Sequence, residues 1–471
     1  MSEIKFGTDG WRDLMYNRFN LPNVRRVVQA IARYTKDNHG ENRGIVVGYD
    51  ARFFSDFFAQ EAAAVLTAHG IKVYFGERDF PTPVIAFAVT HYRAFGAIMF
   101  TASHNPPEYN GIKFIPEYAG PASPEITKAI EVNLSNQPGG ETVLHQPNPE
   151  LITRFDPTEA YLSQLRKLID VDAVRKAGLN LVIDPMYATG RGFLPDLFNE
   201  CPVIEIHNRR DPLFGGSMPD PQGKFLGELI SLVEAKENSI GLAMDGDADR
   251  FGIVDSDGSY LNANQVISLL LWHLITNRGL KGIAARSVAT THMLDRLGEL
   301  YGMEVVETPV GFKYIGEMMR TRQVIIGGEE SGGLSIQGHL PEKDGILACA
   351  LMAELRAITG KPLQETLAEL SAKVGQFFTR RLDIHLLGAA KAAILEKCRA
   401  TSLERIGVFN ISETRKIDGF KYILENGSWF LIRPSGTEPL IRIYFETNSA
   451  ETLEDLVANV QKLLDQWGRT A

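Results

Sequence analysis

Cysteine and long apolar runs are both scarce in this chain of 471 residues. Cys201, Cys349 and Cys398 form no CxxC or Cys/His pair, which argues against a disulfide framework or zinc site and predicts buried free thiols in a reducing compartment. The longest strongly apolar run, 266–275, predicts a buried helix, because a membrane span needs roughly 20 residues. Residues 1–11 lack the basic and apolar regions of a secretory signal. We therefore expect a cytoplasmic protein with no membrane partner.

An excess of positive charge is also missing. Lysine and arginine number 49 against 58 acidic residues, which gives a net charge of −9. This balance argues against a nucleic-acid partner or an anionic membrane surface, although it is compatible with a local basic pocket. The length exceeds what one hydrophobic core holds, and at roughly 100–200 residues per domain it predicts three or four domains.

Short apolar strands alternate with helical segments over the first three quarters of the chain. The first strands are predicted at 44–49, 71–76 and 95–100, with helices over 55–69 and 81–91. The rhythm recurs with strands at 179–184, 203–207, 239–244, 282–288, 303–308 and 323–328, and with helices from about 189 and over 223–236, 293–301 and 314–320. Such alternation indicates parallel βαβ units.

The C-terminal part has a different pattern. Short strands separated by turns are predicted at 380–386, 405–411, 419–426 and 428–434, before a helix at 450–467. This order is typical of a small α+β domain. With boundaries in the Pro/Gly/Asn-rich stretch 136–149, near 256–258 and near 373–375, we expect domains over residues 1–150, 151–256, 257–373 and 374–471.

The segment 101–114, TASHNPPEYNGIKF, begins where the apolar strand 95–100 ends. Ligands of open α/β sheets bind at the carboxyl ends of strands, so this position suits a functional site. A serine hydroxyl is a weak nucleophile that needs an activating neighbour. Ser103 has His104 beside it and Lys113 after a glycine turn. The alternative is an ordinary polar turn between a strand and a helix.

Three aspartates, Asp245, Asp247 and Asp249, also follow an apolar strand. Carboxylates at this spacing repel one another unless a cation lies between them, and all-oxygen ligands favour Mg²⁺. An EF-hand is excluded, because Arg250 and Ser256 occupy the positions of its glycine and its last glutamate. The alternative is a solvated acidic turn.

Charge counting connects these two segments. Three aspartates and a phosphorylated serine carry more negative charge than one Mg²⁺ neutralises, so a second phosphate needs further cations. Arg250 and Arg12, in the segment GTDGWR, are the candidates. The alternative for Arg12 is an exposed charge near the N-terminus.

The segment 327–333, GGEESGG, again follows an apolar strand. Paired carboxylates and a hydroxyl on a glycine-rich loop suit hydrogen bonds to a sugar diol, and Lys343 downstream adds a cation. A glycoside hydrolase pair fits less well, because the adjacent Glu329 and Glu330 would point in different directions instead of flanking one bond. The alternative is a glycine turn.

The segment 433–442, RPSGTEPLIR, combines small residues, two hydroxyls and two arginines. Exposed backbone N–H groups and guanidinium groups in one concave loop bind phosphate well. The segment is not a P-loop, because the pattern GxxxxGK[ST] is missing. The alternative is an ordinary turn.

In this order, the segments resemble the α-D-phosphohexomutase superfamily, which includes phosphoglucomutase, phosphomannomutase and phosphoglucosamine mutase. The match extends from GTDGWR near residue 7 to about residue 446. The resemblance implies an α/β fold of four domains around a central cleft: three related α/β domains with mixed sheets and a smaller α+β C-terminal domain. It also implies interconversion of hexose 1-phosphate and hexose 6-phosphate through a phosphoserine and a 1,6-bisphosphate intermediate.

The resemblance also implies residue roles. Ser103 corresponds to the phosphorylated serine and shares Mg²⁺ with Asp245, Asp247 and Asp249. Arg12, His104 and Lys113 correspond to the residues that handle protons and charge around the transfer. The substrate-binding residues implied by the resemblance, or added as candidate cations above, are Arg250, Lys313, Glu329, Ser331, Lys343, Arg433, Ser435, Gly436, Thr437 and Arg442.

The expected substrate is a glucose phosphate, with glucose 1,6-bisphosphate as activator. Superfamily branches that use mannose or glucosamine phosphates often carry Met or Gln in place of Glu330 and His in place of Gly333. A grip on O3 and O4 does not distinguish C2 epimers, so a phosphomannomutase or a dual-specificity enzyme is an alternative, and phosphoglucosamine mutase a weaker one. A phosphatase and a non-catalytic sugar-phosphate-binding scaffold are further alternatives. We expect a monomer or small homo-oligomer whose C-terminal domain closes over the substrate.

Overall fold

A computed structural model of the chain describes residues 4–7, 9–137, 146–386, 388–435 and 440–468. The chain divides into two compact units, Met1–Lys281 with Gly311–Thr366 and Gly282–Val310 with Leu367–Ala471. No helix in the described parts of the chain has the length and apolar character needed to cross a bilayer. The three cysteines are free thiols; Cys349 and Cys398 are buried as predicted, whereas Cys201 is half-buried.

The serine segment belongs to a mixed sheet at the start of the first unit. Its elements are β1 (Trp11–Leu14), α1 (Leu21–Asp37), β2 (Ile45–Tyr49), α2 (Ser55–Ala68), β3 (Val73–Gly76), α3 (Thr82–His91), β4 (Gly96–Phe100), β5 (Tyr109–Pro116), α4 (Pro124–Ser135) and β6 (Ile152–Phe155). The strand order is β1-β5-β4-β2-β3-β6. The inner strands β2 and β4 are buried throughout and pair in parallel, as expected for a sheet covered on both faces.

One element of this sheet differs from the prediction. Lys113 was expected after a glycine turn, but it lies on β5, which runs antiparallel to both β4 and β1. The polar segment between β4 and β5 is therefore the loop of a hairpin and does not lead into a helix. Because the two strands pair along their length, Ser103 and Lys113 are brought to the same end of the sheet.

The aspartate segment belongs to a second mixed sheet. Its elements are α5 (Thr158–Leu168), α6 (Val171–Ala177), β7 (Asn180–Asp184), α7 (Phe193–Leu197), β8 (Val203–Glu205), α8 (Gly227–Glu234), β9 (Ser239–Met244), β10 (Phe251–Val254) and β11 (Tyr260–Leu261). Strands β7, β8 and β9 are parallel, and β10 returns antiparallel to β9. The six residues 245–250 therefore form a hairpin loop at the carboxyl end of β9.

Two helices of this region are shorter than predicted. The helix expected from about residue 189 begins at Phe193, after Gly192 in a left-handed conformation with φ of 81°. The helix predicted over 223–236 is a short 3-10 turn at Gly223–Phe225 followed by α8.

The next part of the chain contains α9 (Ala263–Thr276), β12 (Ile283–Ser287), α10 (Met293–Tyr301), β13 (Val305–Thr308), α11 (Phe312–Thr321), β14 (Val324–Glu329), β15 (Gly333–Ile336), α12 (Gly345–Thr359) and α13 (Leu363–Val374). The apolar run 266–275 lies in α9 and is largely buried, as predicted. In the first unit, β14 and β15 form an antiparallel hairpin. In the second unit, β12 and β13 pair in parallel.

The C-terminal domain is built on an antiparallel sheet. Its elements are β16 (Phe378–His385), α14 (Gly388–Ala400), β17 (Arg405–Ile406), β18 (Phe409–Arg415), β19 (Phe420–Leu424), β20 (Trp429–Pro434), β21 (Leu440–Thr447) and α15 (Ala450–Gly468). The strand order is β16-β21-β20-β19-β18-β17. Apolar residues of the sheet and of α14 and α15 form one core. The α+β prediction for this domain is confirmed.

Candidate active site

Ser103 lies in the loop between β4 and β5 and is buried. Its hydroxyl Oγ donates a hydrogen bond to Asp245 Oδ2 at 2.7 Å, and His104 Nδ1 is 3.3 Å from the same oxygen. The backbone of Ser103 is left-handed, with φ of 52°, and its N–H donates to Thr101 Oγ1. The serine and the first aspartate of the acidic loop, separated by 142 positions in sequence, are thus in direct contact.

Gly246 explains how the aspartate loop approaches the serine loop so closely. A Cβ added at this position would lie 2.3 Å from the carbonyl oxygen of Ser103. Any side chain here would separate the two loops, because real Cβ atoms do not come so close to a backbone atom. The next residue but one, Ala248, is also left-handed, with φ of 53°. The sequence DGDAD therefore has a steric reason for its glycine as well as a chemical reason for its carboxylates.

The three aspartates form one buried group of oxygens, with ligand atoms all within 4.8 Å of one another. Asp247 Oδ1 and Asp249 Oδ1 are buried and have no hydrogen-bond partner among the described residues. Buried carboxylate oxygens left unpaired are costly, and a hard divalent cation satisfies several of them at once. The donor set, entirely oxygen, therefore fits Mg²⁺ held by Asp245, Asp247 and Asp249.

Ammonium groups balance part of this negative charge. Lys113 Nζ lies 2.8 Å from Asp247 Oδ2, 2.8 Å from Asp249 Oδ2 and 2.9 Å from Asp9 Oδ2. Burial alone would lower the pKa of Lys113, but the three carboxylates outweigh it and raise the pKa well above its usual value. Lys343 Nζ lies 3.2 Å from Asp249 and 3.3 Å from Asp9. Both lysines are therefore cations at neutral pH.

The pKa values of the aspartates move in opposite directions. Burial, together with Asp247 and Asp249, raises the pKa of Asp245 well above its usual value. Burial would also raise the pKa of Asp247, but Lys113 outweighs it and lowers that pKa. Asp245 accepts the serine hydroxyl, whereas Asp247 accepts Lys113 and the Thr82 hydroxyl. Environments this different within one loop are typical of functional sites.

His104 and Arg12 flank the serine. Burial lowers the pKa of His104 well below its usual value, and the nearby Arg250 and Arg12 lower it further. The imidazole is therefore neutral near pH 7. Arg12 donates to Asn105 Oδ1 at 3.1 Å, in the loop that carries Ser103, and its other nitrogen is 3.5 Å from Asp9.

The GGEESGG segment forms the hairpin between β14 and β15 and meets the aspartate loop. The N–H of Phe251, the residue after Arg250, donates to the carbonyl of Gly332 at 3.3 Å. Glu329 is buried and accepts the N–H of Gly311 at 2.7 Å. Burial and the neighbouring Glu330 raise the pKa of Glu329 to about 7. Ser331 lies in the turn itself.

The absence of a side chain at Gly333 leaves room for Lys343 to reach the acidic cluster. A Cβ at Gly333 would lie 2.4 Å from Cδ and 2.8 Å from Cγ of Lys343. Because the stem of Lys343 occupies this space, a larger residue at 333 would have to displace it. Position 333, which the resemblance implies to differ between superfamily branches, is therefore next to a cation of the candidate site.

Two further predicted residues of the first unit are less closely tied to the cluster. Arg250 Nε lies 3.9 Å from Asp249 Oδ1, and the surrounding aspartates outweigh burial and raise its pKa. Lys313 lies on the first turn of α11, where its ammonium is 5.2 Å from the centroid of the Tyr314 ring. Its connection to the site is through the backbone, since Gly311, two positions earlier, donates to Glu329.

The predicted phosphate-binding residues of the second unit form their own group. Arg433 on β20 and Arg442 on β21 are directly opposite each other in the antiparallel register. Like charges facing each other across strands repel, and each arginine has a carboxylate nearby that offsets part of this repulsion. Arg433 Nε donates to Asp418 Oδ2, and Arg442 Nε is 3.9 Å from Asp383 Oδ2. Gly436 and Thr437 lie outside the described residues.

Sequence reasoning missed several residues of these sites. Asp9 lies in the segment GTDGWR, from which the sequence predicted only Arg12 as a site residue. In the structure Asp9 contacts both Lys113 and Lys343. Thr82 begins α3 and donates to Asp247. Lys391 on α14 donates to the carbonyl of Ser435 at 2.7 Å. No local motif marks Thr82 or Lys391.

Comparison with known proteins assigns four successive parts of the chain to domains of one family. Four family models match in order: Phosphoglucomutase/phosphomannomutase, alpha/beta/alpha domain I at residues 3–138, domain II at 159–258, domain III at 262–374 and the C-terminal domain at 387–463. A "Phosphoglucomutase/phosphomannomutase" of Thermococcus kodakarensis is 30% identical over 463 residues, 98% of each chain.

Two other relatives carry different substrate names. A provisionally named phosphoglucosamine mutase of Pyrococcus abyssi is 31% identical over 98% of this chain and 97% of its own. A crystal structure of a provisionally named phosphomannomutase from Thermus thermophilus superposes with a TM-score of 0.88 at 34% identity, covering 98% of this chain and 99% of that one.

The names of these relatives agree on the reaction class and differ in the sugar. The four family models match in chain order, and together they account for both the fold and the reaction class. The chain therefore belongs to the phosphoglucomutase/phosphomannomutase family of the α-D-phosphohexomutase superfamily, and it is a phosphohexomutase, an intramolecular phosphotransferase.

Proposed function

We propose that this phosphohexomutase interconverts glucose 1-phosphate and glucose 6-phosphate through a phosphoserine at Ser103 and a glucose 1,6-bisphosphate intermediate, with Mg²⁺ as its cofactor. The observation that carries the proposal is the contact between Ser103 Oγ and Asp245 Oδ2 at 2.7 Å, beside two buried carboxylate oxygens that accept no hydrogen bond from the described residues. A serine hydroxyl next to a site for a divalent cation suits storage and transfer of a phosphoryl group.

The transfer has two half-reactions that mirror each other. In the first, the P–O bond to Ser103 Oγ breaks, a P–O bond forms to the free hydroxyl of the sugar monophosphate, and the proton of that hydroxyl ends on Oγ. In the second, the other phosphate of the bisphosphate returns to Oγ, and the Oγ proton ends on the sugar oxygen that the phosphate leaves. Asp245, Asp247 and Asp249 would hold Mg²⁺, which would supply positive charge to stabilise the transferring phosphoryl group.

The residues of the chain have separate tasks in this scheme. His104, neutral at pH 7 and 3.3 Å from Ser103 Oγ, is suited to take and return the proton. Lys113 stays protonated among its three carboxylates and balances charge. Arg12, joined to the serine loop through Asn105, is suited to stabilise the transferring group.

The glucose assignment depends on the segment 329–333. Glu329 and Ser331 are the proposed partners of the sugar O3 and O4 hydroxyls, and they face a similar pair of hydroxyls when the bisphosphate is turned end for end. Arg433, Ser435 and Arg442 are the proposed site of the phosphate that is not being transferred. The residues Glu330 and Gly333 favour the glucose branch, and the absence of a Cβ at Gly333 leaves Lys343 in contact with Asp249.

The test is a parallel assay of glucose 1-phosphate, mannose 1-phosphate and glucosamine 1-phosphate with Mg²⁺ and a trace of the matching 1,6-bisphosphate. We expect the highest kcat/KM for glucose 1-phosphate. Faster turnover of mannose or glucosamine phosphate would leave the mechanism intact and contradict the assignment made from Glu330 and Gly333. A separation of only about 1–3 kcal/mol between glucose and mannose phosphate is expected, about 5- to 150-fold, because the proposed contacts do not involve C2.

Absence of turnover with every hexose phosphate would contradict the mutase proposal itself. A non-catalytic scaffold would then bind the same sugar phosphates without taking a phosphate on Ser103. A phosphatase would instead release inorganic phosphate from glucose 1,6-bisphosphate in stoichiometric amounts, which the assay detects separately. Either result is distinguishable from a mutase of different sugar preference.

A further inference from the structure

The backbone of the serine loop is strained at Ser103, and neither the proposed phosphorylation of Ser103 nor the proposed metal site explains what holds it there. A non-glycine residue at φ of 52° is unfavourable, and such strain persists only where surrounding contacts over-determine the conformation. The loop between β4 and β5 carries two prolines but no regular secondary structure of its own from residue 101 to residue 108. Something outside the loop must therefore hold Ser103 so that Oγ faces Asp245.

Arg52 supplies these contacts. Its Nη2 donates to the carbonyl of Ser103 at 2.6 Å and to that of Asn105 at 2.6 Å. Its Nη1 donates to the carbonyls of Pro106 at 2.7 Å and Tyr109 at 3.1 Å. A single guanidinium thus binds four carbonyls spread over the whole loop, from the serine to the start of β5. This is a use for which the flat, forked arginine side chain is suited and lysine is not.

Arg52 is itself fixed from three sides. Its Nε lies 3.2 Å from Asp50 Oδ2, and the other oxygen of Asp50 accepts the Arg52 N–H and the Ser55 hydroxyl. The ring of Phe214 stacks on the guanidinium, with the ring centroid 5.0 Å from Cζ. Phe214 comes from the domain that carries the aspartate loop and packs with Ala51 of the serine domain. The arginine therefore lies at the junction of the two domains that form the reaction centre.

The burial of Arg52 indicates that these contacts have a purpose beyond packing. Its side chain is 0% exposed, and so is that of its carboxylate partner. An ion pair buried this deeply is often no more stabilising than apolar residues of similar volume. An apolar residue here would leave four loop carbonyls without a donor and would remove the restraint on Ser103. The arginine is therefore better explained by the geometry it imposes than by stability.

We propose that Arg52 is a positioning residue for phosphoryl transfer, which holds the loop 103–109 in the conformation that aims Ser103 Oγ at Asp245. The inference rests on the proposed function, because it takes Ser103 as the phosphorylated residue. Arg52 does not touch the reacting atoms and acts through the backbone of the loop. It is thus distinct from Arg12, which reaches the same loop through the Asn105 side chain.

The test is Arg52→Lys, measured by the rate at which the enzyme takes up phosphate from glucose 1,6-bisphosphate in a single turnover. Lysine keeps the positive charge beside Asp50 but cannot reach four carbonyls at once. We expect the rate and kcat to fall by about 100-fold, as for a reacting group misplaced by about 1 Å, with KM for the hexose phosphate changed by less than about threefold. A role confined to folding would lower Tm without this split between kcat and KM.

Arg25→Lys is the matched control. Arg25 is also a buried arginine of the same domain paired with one carboxylate, Glu61, at 2.8 Å, but it lies on α1 and, within the described parts of the chain, makes no hydrogen bond to the serine loop. Its substitution should lower stability by a similar amount and leave the uptake rate unchanged. If Arg52→Lys takes up phosphate within about threefold of wild type, the inference is wrong.

A second variant, Asp50→Asn, tests the inference even if Arg52→Lys does not fold. Asp50→Asn keeps Arg52 but removes the charge that fixes it, and it should slow uptake by about tenfold. Should Arg52→Lys fail to fold, an Asp50→Asn enzyme with wild-type uptake would overturn the inference on its own. If wild-type enzyme takes up no phosphate, the proposed function fails and Arg52 is not at issue.

Discussion

The two units of the chain each contain a buried network of charges, and the networks differ in how completely their atoms are paired. The cluster that we propose as the reaction centre of the first unit, named the catalytic cluster, comprises Ser103, Asp9, Lys113, Asp245, Asp247, Asp249 and Lys343. The clamp cluster of the second unit comprises Arg286, His292, Glu307, Lys421 and Trp429. Both are largely shielded from solvent.

In the clamp cluster, Glu307 Oε2 accepts Lys421 at 2.9 Å and Arg286 at 2.7 Å. Lys421 also donates to the carbonyl of Val288 and lies over the Trp429 ring, 4.1 Å from its centroid. In the catalytic cluster, Asp247 Oδ1 and Asp249 Oδ1 accept no hydrogen bond from the described residues, and the loops contain strained residues. A fully hydrogen-bonded buried network serves stability, whereas carboxylate oxygens without hydrogen bonds and backbone strain in one place indicate a site kept ready for a ligand.

The pKa shifts within the clamp cluster show which of its groups stay charged. Burial would raise the pKa of Glu307, but Lys421 and Arg286 outweigh it and lower the pKa to about 2. Burial lowers the pKa of Lys421 to about 8, helped by repulsion from Arg286. The lowered pKa of Glu307 favours the ionised carboxylate and so the ion pair, whereas the lowered pKa of Lys421 favours the neutral amine and weakens the pair. Glu307 stays ionised, because Lys421, Arg286 and Arg415 all contact it directly.

The largest expected effect is in the catalytic cluster. Ser103→Ala removes the oxygen that would carry the phosphoryl group, so kcat should fall by about 10⁴-fold or more, with little change in Tm. Ser268→Ala is the matched control, because Ser268 is also a buried serine and its hydroxyl donates to the carbonyl of Asn264 within its own helix. Coupled spectrophotometric assays measure both. An active Ser103→Ala enzyme would exclude the phosphoserine mechanism.

Metal removal should affect function and stability very differently. Treatment with EDTA is expected to abolish turnover, and added Mg²⁺ should restore it. The free energy of unfolding should change by less than about 2 kcal/mol, because Lys113 and Lys343 already neutralise part of the acidic cluster and only the binding energy of the metal is lost. Urea titrations with and without EDTA measure this. Unfolding on metal removal would mean that the aspartate loop needs the ion to fold.

In the clamp cluster, a substitution should cost stability and spare the chemistry. Lys421→Met leaves Glu307 and the Val288 carbonyl without their buried ammonium partner, and it should lower the free energy of unfolding by about 3 kcal/mol. The kcat of the folded fraction should stay near that of wild type. The exposed Lys462→Met is the control. Equal stability of the two variants would show that the clamp cluster contributes nothing.

The smallest expected effect is the acid dependence of the clamp cluster. The pKa of Glu307 is about 2 in the folded chain against a usual value of 4.5, so the unfolded chain binds the extra proton between these pH values. Stability should therefore fall as the pH drops from 4.5 towards 2, by about 2 kcal/mol from this residue.

Glu307→Gln isolates that contribution. Its unfolding free energy should be lower than that of wild type above pH 4.5, and the two curves should converge at lower pH. The other carboxylates titrate in both proteins, so only the difference between the curves reports on Glu307. Parallel curves over this range would contradict the shifted pKa.

Much of the site was predictable because its polar segments follow apolar strands. Ser103 and the aspartates come directly after β4 and β9, and strand ends of this kind are where α/β proteins place ligands. The antiparallel return of β5 was not predictable from the alternation of strands and helices, which favoured a crossover. Lys113 was therefore expected after a glycine turn, whereas it lies on β5.

Long-range contacts were beyond local sequence reasoning. Asp9 and Lys343 are 334 positions apart, and no spacing rule connects them. The same holds for Arg52, whose partners in the serine loop are carbonyls and so leave no side-chain signature in the sequence. The pairing of Arg433 with Arg442 depends on the register of β20 and β21, which the residue pattern of either strand alone does not fix.

The most direct test of the account is to locate the phosphate. Enzyme incubated with glucose 1,6-bisphosphate and Mg²⁺ would be digested and its phosphopeptides identified by mass spectrometry, before and after a chase with glucose 6-phosphate. We expect one phosphate, on the peptide that contains Ser103, which disappears during the chase at a rate no slower than kcat. A turning-over enzyme whose Ser103 never carries phosphate, or carries a phosphate that the chase does not remove, would contradict the account.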